Sequence, residues 1–388
     1  MQKGVCLVSR DPLYHSSRIK KHFETRTKGQ SGVLKDILAT SNNNHTILLG
    51  DNDYLNLVRH KDVVTKQAKD LVSSTLSRDT AKSSVFLSEF DLHTALEKDL
   101  TTWYGKGCYL AQSGYAANVG VMHAICTPGM HVYVDQFLHM SFYDGLAARQ
   151  VKVHPFKPNN TIDLENKITK YGPGLILIES IYSTSGAFGP LEEIIRIKKS
   201  HNCLLVVDES HSFGLFGPQG LGFLHVRNLV PNTDYITASL AKAYATRAGI
   251  VFTNNAVYVK ENSYPFIFSS GLVQNGIIRI RAMWEVIKAS EDRRIRLINI
   301  STFFRQEMNK VTHVVGGMKD TPCAIMASLH RFFSERGILA APFSAPATPL
   351  ESPVLRFTVH CDVSARDVVV VTRAVEEWML SVARGAKL

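Results

Sequence analysis

Residues 175–208 read LILIESIYSTSGAFGPLEEIIRIKKSHNCLLVVD. Two continuous apolar runs, 175–179 and 203–208, flank the segment 190–200, which opens with Pro190 and repeats leucine and isoleucine at helical spacing. Strands that are apolar without alternation are buried on both faces, as in parallel sheets covered by helices. This stretch therefore predicts a strand–helix–strand unit of an α/β domain.

The same alternation continues in both directions along the chain. We predict further strands at 108–112, 131–135, 151–155 and 248–253, and further helices at 115–126, 140–149 and 163–170. The pattern predicts a mostly parallel sheet, and in such sheets ligands bind beyond the carboxyl ends of the strands.

The two ends of the chain differ from this central pattern. Residues 276–308 are predicted to form one long helix or a broken one, followed by a strand near 353–359 and a closing helix near 364–383. We therefore predict three parts: an N-terminal arm at 1–46, a large α/β domain at 47–275 and a small α+β domain at 276–388.

Composition places the chain among ordinary globular proteins. Of its 388 residues, 45% are hydrophobic and 20% are charged. No apolar run approaches the roughly 18 residues of a membrane helix, and the first residues lack the apolar core of a secretory signal. The six cysteines have no metal-binding or redox spacing, so we expect reduced thiols, no metal site and a cytoplasmic location.

The net charge of +10 favours anionic partners. The basic residues are scattered instead of forming stripes interleaved with aromatic residues, which argues against nucleic acid. A generally basic surface without one ligand, a small phosphorylated ligand and a coenzyme A ester all remain compatible with this charge.

Two segments at predicted strand ends carry polar groups suited to ligand binding. At Ser113-Gly114 a strand meets a helix whose free N–H groups can bind a phosphate, although an ordinary turn capped by Ser113 is an alternative. Asp208 ends an apolar strand three residues before His211. A buried carboxylate needs a partner, such as a protonated heterocyclic nitrogen. The alternative is a helix-capping aspartate beside a core histidine.

A third segment contains Lys242 among small, uncharged residues. Burial lowers the pKa of a lysine amine and so favours Schiff-base formation. The alternative is a lysine whose amine simply reaches solvent. The three segments follow one another in the order phosphate turn, acid, histidine and lysine.

Four motifs resemble those of the α-oxoamine synthases, a branch of the fold-type I pyridoxal 5′-phosphate (PLP) enzymes. They are Asn52-Asp-Tyr-Leu55, Ser113-Gly-Tyr-Ala-Ala-Asn118, Asp208-Glu-Ser-His211 with a glycine-rich tail, and Ser239-Leu-Ala-Lys242. The resemblance extends from about residue 47 to the C-terminus. It implies an aspartate aminotransferase-like α/β fold with a mostly parallel seven-stranded sheet, and PLP as the cofactor.

The resemblance also implies roles for the matching residues. Lys242 would form the Schiff base with the cofactor and remove the α-proton of an amino-acid substrate. Asp208 would pair with the pyridinium nitrogen, and His211 would bond the 3-oxygen of the ring. His139 matches a histidine that stacks on the ring, with a plain core histidine as the alternative.

The remaining matches concern the cofactor phosphate and the substrates. The backbone at Ser113, Gly114 and Tyr115 would lie near the phosphate, and Ser239 takes the place of a phosphate-binding threonine. The resemblance further places Ser183 near a cofactor oxygen, Ser270 near the phosphate in the partner subunit, and Arg356 at the substrate carboxylate. Arg247 is a candidate anion contact for the substrate or a CoA phosphate, or else a surface salt-bridge partner.

Three departures from the common family pattern narrow the resemblance. Residues 81–93 lack the usual glycines, Tyr244-Ala-Thr-Arg-Ala-Gly249 replaces F-G-x-x-G-G, and Val273-Gln274 replaces P-P. These departures resemble the CqsA/LqsA-type α-hydroxyketone autoinducer synthases of bacterial quorum sensing. The similarity to this subgroup is dense from 108 to 250.

The subgroup resemblance implies an acyltransferase that joins a decanoyl-like acyl-CoA to S-adenosylmethionine or 2-aminobutyrate. The product would be an α-aminoketone precursor of a diffusible signal. The site that the family shares between subunits implies a homodimer. Alternatives are a serine palmitoyltransferase, an 8-amino-7-oxononanoate synthase, and a noncatalytic subunit, which the presence of Lys242, Asp208 and His211 disfavours.

Overall fold

The computed structural model describes residues 46–58, 82–311, 323–343 and 354–383, together with residues 65 and 69. The predicted arm at 1–46 lies outside these residues, except for Thr46. Among the described helices, none combines the length and the apolar character needed to cross a membrane.

The strands follow the chain in the order predicted, with small shifts at their ends. They are β1 (Ile47–Leu49), β2 (Cys108–Ala111), β3 (His131–Asp135), β4 (Lys152–Phe156), β5 (Leu175–Glu179), β6 (Leu204–Asp208), β7 (Tyr235–Ser239), β8 (Gly249–Thr253), β9 (Ile338–Phe343) and β10 (Val354–Arg356). The strands β1, β7 and β9 have no counterpart among the predicted ones.

Helices connect most of these strands. They are α1 (Leu92–Tyr104), α2 (Gly114–Ile125), α3 (Met140–Ala147), α4 (Thr161–Tyr171), α5 (Leu191–Ser200), α6 (Phe223–Val226), α7 (Ala256–Asn262), α8 (Tyr264–Ile267), α9 (Gln274–Ala289), α10 (Glu291–Val311), α11 (Cys323–Glu335) and α12 (Ala365–Ala383). Short 3₁₀ turns occur at Ser84–Phe86, Pro218–Gly220 and Val230–Asn232. The long helix expected at 276–308 is broken at Ser290, between α9 and α10.

The main sheet has seven strands in the order β2-β8-β7-β6-β5-β3-β4. The neighbouring pairs are parallel except at β8, which runs antiparallel to both β7 and β2. This arrangement confirms the predicted fold class, a mostly parallel seven-stranded sheet.

Both faces of this sheet are buried, as the unbroken apolar strands predict. On β5, Leu175 and Leu177 pack into one hydrophobic cluster, whereas Ile176 and Ile178 pack into a second one. Because successive side chains of a strand point to opposite faces, the two clusters lie on opposite sides of the sheet. Polar side chains in this region are therefore concentrated at the strand ends.

The described chain divides into two compact units. The larger comprises 51–305 and 358–365 and contains the seven-stranded sheet. The other includes the described residues of 46–50, 306–357 and 366–383, with a three-stranded sheet in which β9 pairs parallel with β1 and antiparallel with β10. The predicted domain limits at 47 and 276 stay predictions, because compactness does not measure independent folding.

Candidate active site

Two carboxylic acids lie side by side at the carboxyl edge of the main sheet. Glu179 ends β5 and Asp208 ends β6, and the two are register partners in the parallel pair. Both are buried. Burial, and then the nearby charge of Asp208, raise the pKa of Glu179 well above its ordinary value. Glu179 therefore keeps its proton to a higher pH than an exposed glutamate does.

Asp208 is held by neutral donors. Its Oδ2 accepts a hydrogen bond of 2.9 Å from Asn118 Nδ2, and its Oδ1 accepts one of 2.8 Å from the backbone N–H of Ser210. The Ser210 hydroxyl in turn accepts the N–H of Ser239 at the end of β7. A carboxylate buried among neutral donors is costly unless a cation joins it, so this position suits a positively charged ligand group.

His139 and Lys242 share this site with Asp208. Loss of solvent lowers the pKa of His139; the charge of Asp208 raises it and that of Lys242 lowers it. The backbone N–H of His139 donates to Glu179 Oε1 at 2.8 Å. Lys242 is half-buried in a turn closed by a hydrogen bond of 2.8 Å from the N–H of Ala245 to the Lys242 carbonyl.

The predicted phosphate turn lies against the end of β7. Ser113 caps α2 by accepting the N–H of Ala116 at 3.0 Å. A Cβ atom at Gly114 would lie 2.6 Å from Ser239 Cβ, and one at Gly249 would lie 2.2 Å from the Ser113 carbonyl oxygen. Only glycine fits these two positions, and the start of α2 consequently lies close to Ser239.

Two further predicted residues flank this turn. The Tyr115 hydroxyl donates to Asp144 at 2.8 Å, and its ring lies edge-on to His139 with the ring centres 6.4 Å apart. Burial and the hydrogen bond to Asp144 raise the pKa of Tyr115 to about 12. The backbone N–H of Ser183 donates to Glu179 Oε2 at 3.1 Å.

His211 contacts the Asn52–Leu55 motif. Its Nδ1 is hydrogen-bonded to the hydroxyl of Tyr54, whose carbonyl accepts the N–H of Cys361 at 2.9 Å. Two motifs far apart in the sequence are thereby joined at one site.

Three other predicted residues have contacts of their own. Ser270 is exposed, and its carbonyl accepts a hydrogen bond from Gln112 Nε2. Arg247 is exposed and lines a cavity of about 320 Å³ with Asp51, Asp53 and Ala245. Arg356 belongs to the smaller unit, where its guanidinium lies 4.5 Å from the centre of the Phe343 ring.

Four residues that sequence reasoning did not assign take part in the site. Asn118 and Tyr54 lie inside quoted motifs, so their motifs were a usable signal. Glu179 ends an apolar strand just as Asp208 does, and that parallel was also visible. Ser141 is buried between Asn118 and His139; it follows His139 by two residues, but its contact with Asn118 spans 23 residues of sequence and has no signal in the sequence.

One buried acid next to the site gives a pH-dependent prediction. Glu209 is fully buried, and burial raises its pKa from the ordinary 4.5 to about 7 despite hydrogen bonds from Leu224 and Ser212. Between these two pH values the folded protein retains a proton that the unfolded chain releases. The free energy of unfolding should therefore fall by about 3 kcal/mol as the pH rises through this window.

The Glu209→Gln variant tests this expectation, because the amide resembles the protonated acid at every pH. Urea unfolding at pH 5 and pH 8 should show a smaller fall in stability for the variant than for the native protein. Glu193→Gln, at an exposed glutamate of α5, is the control and should retain the native fall. Equal falls in the native protein and Glu209→Gln would contradict the assignment.

The fold and this arrangement of acid, histidine, lysine and helix start define a fold-type I PLP-dependent transferase. The chain belongs to the family described as "Aminotransferase class I and II", which it matches over residues 44–374. The predicted enzyme class, α-oxoamine synthase resemblance and PLP cofactor are confirmed by this match and by the relatives described next.

Two relatives and one solved structure illustrate the similarity. A CAI-1 autoinducer synthase of Vibrio campbellii is 34% identical over 352 residues, covering 85% of this chain and 86% of the relative. A serine palmitoyltransferase of Sphingomonas paucimobilis is 28% identical over 260 residues, covering 65% and 61%. A solved structure of a S. paucimobilis serine palmitoyltransferase superposes with a TM-score of 0.81 at 22% identity, covering 97% of this chain and 99% of that one.

The observed geometry fits the cofactor. Asp208 is a buried carboxylate that accepts hydrogen bonds from the neutral donors Asn118 Nδ2 and Ser210 N–H, which suits a pyridinium nitrogen. The helix start at Ser113 and Gly114 offers N–H groups to a phosphate, and the glycine leaves the close approach open. The charges of both Lys242 and Asp208 act on His139, which places the three side chains in one region of the fold.

Proposed function

We propose that this protein transfers the acyl group of a medium-chain, decanoyl-like acyl-CoA to the α-carbon of S-adenosylmethionine or 2-aminobutyrate. The product would be an α-aminoketone precursor of an α-hydroxyketone autoinducer. The observation that carries the proposal is the 34% identity with a CAI-1 autoinducer synthase across 86% of that relative. The convergence of Lys242, Asp208 and His139 supports the same chemistry.

Most residues that would hold the cofactor lie at or after the ends of five strands, β2, β3, β5, β6 and β7. Asp208 would face the ring nitrogen, His139 would stack on the ring and His211, with its hydroxyl partner Tyr54, would lie at the 3-oxygen. PLP would supply an electron sink that lets the amino acid lose its α-proton. Ser113, Gly114, Tyr115, Ser239 and Ser183 would surround the phosphate and the remaining cofactor oxygen.

Lys242 would hold the cofactor through its amine and then move the α-proton of the amino acid. Its half-buried position and the fixed turn at Ala245 keep the amine in one region of the site. A lysine acts as a base only after losing its own proton.

Two arginines are proposed to recognise the substrates. Arg247 lines a cavity together with Ala241, which directly precedes Lys242, and Ala245, which follows Lys242 by three residues. An exposed guanidinium at this place suits an anionic part of the substrate or a CoA phosphate. Arg356 is proposed to bind the substrate carboxylate, on the basis of the family motif alone.

We further propose a homodimer. Phe86, Phe90, Phe268 and Val273 are 69%, 87%, 78% and 63% exposed, and Ser83 pairs with Ser270 within the same region. Exposed apolar residues concentrated in this way are typical of an interface. Such an interface would bring Ser270 to the phosphate of the partner subunit.

Light scattering should give a mass of about twice the 43.2 kDa of one chain. Phe268→Asp should shift the protein towards the monomer and lower its activity, because it places a charge in the apolar region. Val226→Asp, at an exposed valine of α6, is the control. A monomer with full activity at nanomolar concentration would contradict the shared site.

The proposed reaction is tested by release of the CoA thiol. Purified protein with decanoyl-CoA would be assayed in parallel with S-adenosylmethionine, 2-aminobutyrate, serine, alanine and glycine. Release with either of the first two supports the signal-synthase function. Release only with serine, alanine or glycine assigns the protein to another α-oxoamine synthase activity. No release with any donor would contradict decanoyl-CoA as the acyl donor.

A further inference from the structure

Ser141 occupies a buried position between two residues of the site. It is the second residue of α3, and His139 is the N-cap of that helix. Its side chain has no exposed surface. Its Oγ lies 3.0 Å from Asn118 Nδ2 and 2.8 Å from His139 Nδ1, so it joins a chain that runs from Asp208 to His139.

The direction of each hydrogen bond in this chain can be derived in turn. A carboxylate only accepts hydrogen bonds, so the nitrogen of the Asn118 amide must be the atom that faces Asp208. That nitrogen only donates, and its second hydrogen points to Ser141 Oγ. The Ser141 hydroxyl uses its oxygen to accept this bond, and its own hydrogen is left for His139 Nδ1.

A second donor reaches the same nitrogen of His139. The backbone N–H of Ser141 points to Nδ1 at 3.3 Å, and a backbone N–H can only donate. Two donors therefore converge on Nδ1. A nitrogen that accepts hydrogen bonds carries no proton, which leaves Nε2 as the protonated nitrogen of a neutral ring.

We propose that Ser141, oriented by Asn118, is a positioning residue that fixes the proton of His139 on Nε2 and keeps the imidazole neutral. His139 then offers an N–H donor at Nε2 and no basic nitrogen to a ligand. Asp208 determines the direction of all these hydrogen bonds, because its carboxylate sets the orientation of the Asn118 amide. The consequence for catalysis rests on the proposed function, whereas the position of the proton does not.

The combined effect of burial and the titratable groups around His139 favours the neutral form of its ring. Asp208 alone favours the protonated form, while burial and the charge of Lys242 oppose it, and the pKa of His139 is lowered. Glu179 contacts the backbone N–H of His139 and has a raised pKa of its own. Tyr115 lies edge-on to the ring and has a raised pKa, so it adds no charge near neutral pH.

Nuclear magnetic resonance of protein labelled with ¹⁵N in its histidines tests the proposal directly. Long-range correlations between ring nitrogens and carbon-bound protons distinguish a protonated Nδ1 from a protonated Nε2. A His139→Gln variant identifies the His139 signals by their loss. We expect an unprotonated Nδ1 and a protonated Nε2 from pH 6 to pH 8, both with and without PLP.

Ser141→Ala removes the hydroxyl donor but retains the backbone N–H. The pKa of His139 should then rise by about one unit, since one hydrogen bond to the neutral form is lost, and both tautomers should appear. Ser263→Ala is the matched control: this serine is equally buried, its Oγ has no hydrogen-bond partner among the described residues, and it lies outside the site. The control should leave the His139 signals unchanged.

Asn118→Leu provides a second variant, which keeps the Ser141 hydroxyl but removes the group that orients it. It should give a smaller shift in the same direction. A native His139 protonated at Nδ1, or a Ser141→Ala protein with native His139 signals, would overturn the proposal. If Ser141→Ala does not fold, the native spectrum and the Asn118→Leu shift still decide. Because no substrate is added, failure of the proposed reaction would leave these results unaffected.

Discussion

Replacing Lys242 with alanine should reduce release of CoA by at least about 10³-fold, because one side chain is proposed both to hold the cofactor and to move the α-proton. Lys242→Arg should lose a similar share of its activity. A guanidinium stays protonated and its charge is delocalised, so it can neither form the Schiff base nor accept the α-proton. Both variants should fold, because Lys242 is half-buried and its turn is closed by backbone atoms.

Mass spectrometry separates the covalent role from general damage to the site. After borohydride reduction and tryptic digestion, the native protein should yield the peptide 228–247 with PLP attached, because trypsin does not cut at a modified Lys242. The two Lys242 variants should lack this adduct. Lys167→Ala, which removes only a surface pair with Asp163, is the control and should keep both adduct and activity. A Lys242→Ala protein with a tenth of native activity would exclude the proposed role.

Asp208→Asn should lower turnover by roughly 10²–10³-fold, because a buried negative charge opposite the pyridinium nitrogen is lost. The folded apoprotein should change little in stability, since removing a buried carboxylate also removes its desolvation cost. The amide cannot fully replace the acid, because it has one acceptor oxygen, whereas Asp208 accepts hydrogen bonds from both Asn118 Nδ2 and the backbone N–H of Ser210.

Exchanging the residues at positions 118 and 208 separates the effect of the charge on turnover from the effect of the hydrogen bond. The double variant Asp208→Asn with Asn118→Asp restores one donor and one acceptor between the two positions, but places the carboxylate on α2. It should keep a thermal stability close to that of the native protein without recovering turnover. Native turnover in the double variant would show that the position of the charge is not required.

The sequence predicted the sheet well because its strands are buried on both faces. Unbroken apolar runs such as 175–179 leave little doubt about strand position, and the observed β5 has the same bounds. The run at 235–239 is less apolar, with Thr237 and Ser239 inside it, so only its neighbours β6 and β8 define it as a strand. The sequence also left open whether the helix at 276–308 is broken, because the residues on both sides of Ser290 favour a helix.

Contacts across long stretches of chain were beyond the reach of sequence patterns. Asn118, Ser141 and Asp208 each lie on a different element, and only the folded sheet edge brings Asn118 Nδ2 to 3.0 Å from Ser141 Oγ and 2.9 Å from Asp208 Oδ2. The motifs identified Asp208 and His211 individually, but not the hydroxyl of Tyr54 beside His211. Burial and the nearby charge of Asp208 raise the pKa of Glu179, and both causes arise only in the folded chain.

The antiparallel direction of β8 has a consequence for how this enzyme type diversifies. Ser239 and Gly249 are register partners, so the loop 240–248 leaves and re-enters the sheet at the same edge. Arg279 clamps this loop from α9 through the carbonyl of Ala245. Exchanging residues within a loop of constant length can thus change what the cavity accepts while the strands keep their pairing. Libraries confined to 244–247 would test whether this cavity contacts the proposed substrates.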